Sequence, residues 1–484
     1  MEHLFSRRSL LRGGVNLGAT ALAYRLGLMS ALAQTQTGDY KALVCVFLNG
    51  GNDALNMIAP YETGAFNTYY NARPNVALLR QDDGSGRAAM LPFASASGVP
   101  LGFGFHPNFG EARFQTANGS PFVTMPGLSA LYNAGKMAAV CNVGTLLRRF
   151  ADKTDYRNSP NERPRSLFDH GIQTDTWQDM GLGDGWGNGI GRALALRGEL
   201  TNPAPLVPVL LNVAGGGSVY LAGAEPYISL PSGSQNGRLR LGGFGTSAAD
   251  TARLAALRAI FRVDHADPVV HTISDRTDRA IDDGNAASNA LANAASLVTT
   301  PFPTGNFGSQ MKQIATIIAA RNDLSQNKRQ IFFASIGGFD THDAQLTYHP
   351  NLMKTLNDGL AALYKSLETQ NLTENVTAFT LSEFGRTVQN SDAGTDHAWG
   401  SHALIVGGAV NGGRLYGTYP SLVLGGADDV DTGSGARGRL LPTTSVDQYA
   451  ATLCKWFGIS YSEMESFLPN LHRFAPSDLG FMRG

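Results

Sequence analysis

A chain of 484 residues, 43% hydrophobic and 16% charged, can bury a large core, and that balance excludes a disordered, fibrous or disulfide-stapled protein. With 38 basic against 39 acidic side chains it offers no footprint for nucleic acid and no polybasic membrane patch. Cys45, Cys141 and Cys454 lie in apolar runs without CxxC spacing and read as buried thiols. The 57 glycines gather as GG and GGG at the ends of apolar runs, the pattern of tight loops around a site.

Residues 1–33 read as an address. Ser6-Arg7-Arg8-Ser9-Leu10-Leu11 is a twin-arginine pattern, followed by an apolar stretch from Val15 to Leu32 and an Ala31-Leu32-Ala33 cleavage signature. Arg25 interrupts that stretch, and a charge near the bilayer centre costs about 3 kcal/mol, so it is a poor transmembrane helix. The expectation is export to the periplasm or beyond. What remains, residues 34–484, has 34 basic against 38 acidic side chains and reads as one domain.

Lys41 to Leu48, KALVCVFL, is nearly all apolar, as befits a strand buried on both faces of a parallel sheet, and NGGND follows it. In an open α/β sheet ligands bind beyond the carboxyl ends of the strands, so Asp53 is either a metal ligand or an Asx-turn residue there. Residues 60–130 show little periodicity and read as an active-site loop system, with His106 packed inside it. A helix is expected over 127–134 and a strand over 137–143. The next helix is expected to open at Pro164-Arg165-Ser166-Leu167-Phe168 and run through Trp177. Ser166 then stands at its N-cap or first turn, where free backbone N–H groups and the helix dipole attract anions, as a cap or as an activated nucleophile. His170, one turn on, faces the same cleft or is an ordinary core or surface histidine. Residues 205–213 read as a strand, 218–245 as β-rich, and 247–296 as alanine-rich helix with Asp250 as first cap. Together 180–300 form an insertion on the sheet, a possible cap over the site. Helices are expected at 308–322 and 351–369, flanking a strand at 331–336.

Three strand ends carry the chemistry. After 331–336 come Gly337-Gly338-Phe339-Asp340-Thr341-His342; residues i and i+2 of an extended segment share a side, so Asp340 and His342 can turn an oxygen and a nitrogen to one metal or substrate. The strand 376–381 ends in Ser382-Glu383-Phe384-Gly385-Arg386. A carboxylate and a guanidinium there suit a metal and an oxyanion, or else pair with each other. Before the strand LIVGGAV stands Gly394-Thr395-Asp396-His397-Ala398-Trp399-Gly400-Ser401-His402, whose Asp396, His397 and His402 are metal-type ligands wrapped in glycine. The last helix starts at a Ser445-x-x-Gln448 capping box.

Taken together, GGNDALN, the Arg-Ser-Leu-Phe start, GGFDTH, SEFGRT and GTDHAWGSH resemble the exported bacterial family known as domain of unknown function 1501, over nearly the whole chain after residue 33. That family is similar to the alkaline phosphatase and sulfatase superfamily. The resemblance implies an α/β fold with a doubly wound, mostly parallel sheet, and one or two divalent metal ions at the strand ends, with Zn, Mg, Ca and Mn all open. It also implies a nucleophile matching Ser166, and ligands matching Asp53, Asp340, His342 and His397, with Glu383, Asp396 and His402 as further candidates. The chain departs from the superfamily pattern in the closer spacing of Asp340 and His342, in Phe384 where a His is usual, and in Leu167 after the serine. The function implied is an exported metal-dependent hydrolase of phosphate or sulfate esters, with Ser166 attacking and Arg386 holding non-bridging oxygens. The alternative is a non-catalytic extracytoplasmic module that keeps the fold for assembly or surface attachment and takes a protein partner.

Overall fold

The computed structural model describes residues 40–84, 87, 89–94, 100–116, 119, 121–200, 206–230, 247–261, 263, 268–324 and 328–484. The expected twin-arginine segment and all of 231–246 lie outside them. The central sheet has nine strands: β1 Lys41–Asn49, β2 Met137–Gly144, β3 Leu210–Asn212, β4 Tyr227–Ser229, β5 Arg329–Gly337, β6 Val376–Leu381, β7 Ser401–Gly407, β8 Leu415–Gly417 and β9 Thr444–Ser445. Their spatial order is β8-β2-β7-β6-β1-β5-β3-β4, with β9 beside β2. β7 runs antiparallel to both its neighbours, and the other pairings are parallel. The chain is thus α/β with a mostly parallel sheet, as expected.

Every residue from Ala42 to Leu48 is buried, and because successive side chains point to opposite faces, both faces of the sheet are covered. On one face Leu43, Cys45, Phe47, Ile331, Phe333 and Phe379 pack with Trp177, Trp186, Ile190, Tyr449 and Phe457. These come from the helices α1 His170–Asp179, α2 Trp186–Leu196 and, after α3 Ala248–Phe261, α4 Pro268–Ala295, α5 Asn306–Ala319 and α6 Gln345–Thr369, from α7 Val446–Phe457. Full burial contributes about 1.5–3 kcal/mol per large apolar side chain, so this cluster outweighs any single polar contact below. α5 packs against β5 and α6, and α4 packs against α5. All three cysteines are free and buried. Among the described residues no helix is long and apolar enough to cross a membrane.

Four local expectations differ from the structure. α1 starts at His170, not near Ser166, because Asp169 is also a strong N-cap and takes the Ile172 N–H at 2.9 Å. Ser247, whose hydroxyl accepts from Asp250 N at 3.1 Å, stands at the start of α3, leaving Asp250 in the first turn. α6 begins at Gln345, not at 351, and runs through Pro350, whose missing N–H costs the helix one internal bond without ending it. Finally, the region 60–130 holds a helix, Thr63–Ala72, and two small antiparallel sheets whose strands are too short for a period to be legible.

Parallel pairing sets the site. Asn49 lies opposite Gly337 and Phe47 opposite Leu381, so NGGND, GGFDTH and SEFGR all leave the sheet at one end. Because β7 is antiparallel, it starts where its neighbours finish, and the segment 394–400 arrives at that same end.

Candidate metal centre

The loops meet at very close range. Gly50 and Gly51 have φ of 122° and 76°, and a Cβ on Gly50 would stand 2.4 Å from Asp340 N, one on Gly51 2.3 Å from the Phe384 ring. Only glycine fits there. The approach lets Gly50 N donate to Glu383 Oε1 at 2.7 Å.

His170, Asp340 and His397 offer ligand atoms that all lie within 4.8 Å of one another. His397 Nε2 is the hub, 3.1 Å from His170 Nε2, 3.0 Å from His342 Nε2 and 3.2 Å from Asp340 Oδ1. Asp340 also stands 2.9 Å from His342 Nε2 and 3.4 Å from His170 Nε2. His170, His397 and Asp340 thus crowd round one point, and His342 stands against His397 and Asp340, together a donor set suited to a divalent cation. The point is open to solvent, since the Asp340 and His342 side chains are each 45% exposed. Partial burial pushes Asp340 up, but Arg386, with His397 and His342, reverses that and holds its carboxyl at about 2. For His397, partial burial is the main cause that lowers the imidazole below its usual value, and the charges of Arg386 and His170 add to it.

Each ring is also held from behind. His170 Nδ1 lies 2.9 Å from Glu383 Oε1, His342 Nδ1 3.2 Å from Asp396 Oδ1, and His397 Nδ1 2.8 Å from the Phe168 carbonyl. The Phe384 ring backs His170 and His397, with centroids 4.8 and 4.5 Å away.

The other expected residues have different surroundings. Arg386, 1% exposed, donates to the carbonyls of Gly51, Thr395, Gly50 and Phe339 and pairs with Asp340. Its guanidinium ties four loop segments and orients Asp340, in place of the expected hold on a substrate, and no pair with Glu383 forms. Asp53 is fully buried, paired with Arg73 at 3.0 Å and bonded by Gln345. Burial raises its carboxyl, while Arg73 and His349, with the hydrogen bonds from Arg73 and Gln345, bring it below the usual value. Asp396 joins His342 to Arg437. His402 is buried against Tyr419, its Nδ1 accepting from Asn142 N at 3.0 Å, and burial lowers it to about 4. Ser166 is exposed, on the turn before α1, with φ of 46°.

Residues 234–458 match the family described as Protein of unknown function (DUF1501). No curated protein matches the chain. The DUF1501 segment carries Asp340, His342 and His397 with Glu383, Arg386 and Asp396, whereas Asp53, Ser166 and His170 lie before it. His170 is the member that sequence reading left open. A lone histidine has no motif around it, and only the return of α1 to the sheet end brings it to Glu383 and His397.

Proposed function

We propose that this protein is an exported, metal-dependent hydrolase of phosphate or sulfate esters, on a doubly wound sheet of the alkaline phosphatase and sulfatase kind. The observation that carries the reading is the convergence of His170, His342, His397 and Asp340 at a solvent-open strand end. A cation held there would polarise an ester oxygen and stabilise a departing one. Ser166 lies two residues from Phe168, whose carbonyl holds His397, and is the candidate nucleophile. Phe168 in turn lies under the Arg439 guanidinium at 4.8 Å, and Arg437 reaches Asp396, so two guanidinium groups stand beside the site, each also paired with an aspartate, Asp431 and Asp396. The rival, a non-catalytic module with a structural metal, draws support from Arg386, which bonds within the protein, and from Phe384 at a position expected to ligate.

A screen of the purified protein with aryl phosphates and aryl sulfates, with and without chelator, tests the two readings against each other. The hydrolase reading expects a chelator-sensitive rate that falls by several orders of magnitude in Ser166→Ala while the metal stays bound. No turnover of any ester by metal-loaded protein would favour the module. Export is tested separately: changing Arg7 and Arg8 to Lys is expected to hold the precursor in the cytoplasm, because the receptor reads the arginines and not their charge.

A further inference from the structure

The second nitrogen of each imidazole in the centre faces an acceptor: the Glu383 carboxylate for His170, the Asp396 carboxylate for His342 and the Phe168 carbonyl for His397. Such oxygens offer only lone pairs, so each Nδ1 carries the hydrogen and donates it. In a neutral imidazole the other nitrogen is then a bare lone pair. The three Nε2 atoms are these bare nitrogens: that of His397 lies 3.0 Å from that of His342 and 3.1 Å from that of His170, and all three lie 2.9 to 3.4 Å from the Asp340 carboxylate. Four acceptors at this range with no hydrogen between them repel. Arg386 bonds Asp340 and backbone carbonyls and relieves none of the nitrogens. One divalent cation drawn in among them satisfies all four groups, because ligands about 2.0 to 2.2 Å from a common ion stand about 3 Å apart, as five of the six pairs here do.

We infer that the centre binds a single divalent first-row transition cation through Nε2 of His170, His342 and His397 and through Asp340, with Glu383 and Asp396 as positioning residues that fix the ring tautomers. This deepens the hydrolase reading and rests on its metal centre. Three nitrogens and one carboxylate suit the zinc, manganese, iron or cobalt class, whereas magnesium and calcium take oxygen shells. A neighbouring second ion lacks ligands among the described residues expected to hold it, since Asp53 is paired with Arg73, Asp396 with His342 and Arg437, and His402 is buried against Tyr419.

The test titrates Co2+ into the full exported chain after chelator treatment and follows the visible absorption of the ion. The expected result is one equivalent, with the bands of nitrogen-ligated Co2+, displaced by Zn2+ but not by a large excess of Mg2+ or Ca2+. His397→Ala is expected to abolish the bands. Glu383→Gln and Asp396→Asn are expected to weaken Co2+ by about 10- to 100-fold at unchanged stoichiometry, the usual loss when a partner behind a ligating His is removed. Circular dichroism separates a metal-free variant from an unfolded one, and the wild-type titration stands without the variants. Two equivalents, absence of the bands, or displacement by Mg2+ overturns the inference. Protein that takes one Co2+ and hydrolyses no ester would sink the hydrolase reading alone, whereas ester hydrolysis by protein that binds no metal would sink this inference.

Discussion

Two polar clusters at the same end of the sheet use nearly the same residue types and reach opposite states. In the buried one, Asp53 pairs with Arg73 and Gln345, Arg73 also bonds Asn56 and the carbonyls of Thr387 and Val388, and His349 meets Asn52. Donors and acceptors match there, and the network is closed. In the open one, His170, His342, His397 and Asp340 face one another with no hydrogen to share. An Asp or His at a strand end is therefore not a ligand by type. What decides it is whether its lone pairs already have partners.

The largest effect that separates the clusters concerns stability without metal. Removing one member of a buried ion pair leaves an uncompensated charge, so Asp53→Ala is expected to cost about 3–5 kcal/mol in urea unfolding of chelated protein. His342→Ala, at an exposed member of the open cluster, is expected to stay within about 0.5 kcal/mol. Equal losses would erase the distinction.

A smaller effect comes from pH. Burial pushes His349 down to about 4, Arg73 and Arg386 adding to it against the opposite pull of Asp53. The native state then holds His349 neutral while the unfolded chain takes up a proton near 6.5, so its contribution is complete above that pH. It is lost as pH falls from about 6.5 towards 4, up to about 3 kcal/mol. Chelated wild type and His349→Gln should therefore differ in pH dependence across that window, and parallel melting curves would sink the assignment.

The metal itself comes next. A cation at 100 times its dissociation constant stabilises by about 2.7 kcal/mol, seen as a rise in melting temperature that His397→Ala should lose and His402→Asn should keep. Loss in both would mean the clusters act as one. Smallest is the backbone of Ser166: a left-handed conformation strains any residue but glycine, so Ser166→Gly should raise stability by about 1 kcal/mol at most. A loss in thermal unfolding would show that its side chain holds a partner.

Much of the frame was legible because it rests on local pattern. The runs 41–48, 331–336 and 376–381 are mostly apolar and short, as strands covered on both faces are, and the first pairs in parallel with each of the other two. The Ser445-x-x-Gln448 box caps α7 as its spacing demands. The meeting of Asp340, His342 and His397 was also legible, since their segments leave the sheet at one end. Ser166 as a cap was not, because Asp169 competes for the same backbone N–H groups three residues later.

By itself the sequence determined the long buried strands of the sheet, and hence which acids and histidines leave it at one end, because periodicity and glycine placement are properties of neighbours along the chain. The tertiary structure decided which of those residues face each other. Asp53 finds Arg73 20 residues on, and His170 finds Glu383 213 residues on. Arg386 finds the carbonyls of Gly50 and Gly51 on β1's loop. Whether a lone pair is satisfied depends on groups that the chain brings together only by folding, and so the roles of Glu383, Arg386, Asp396 and His170 could be read only in three dimensions.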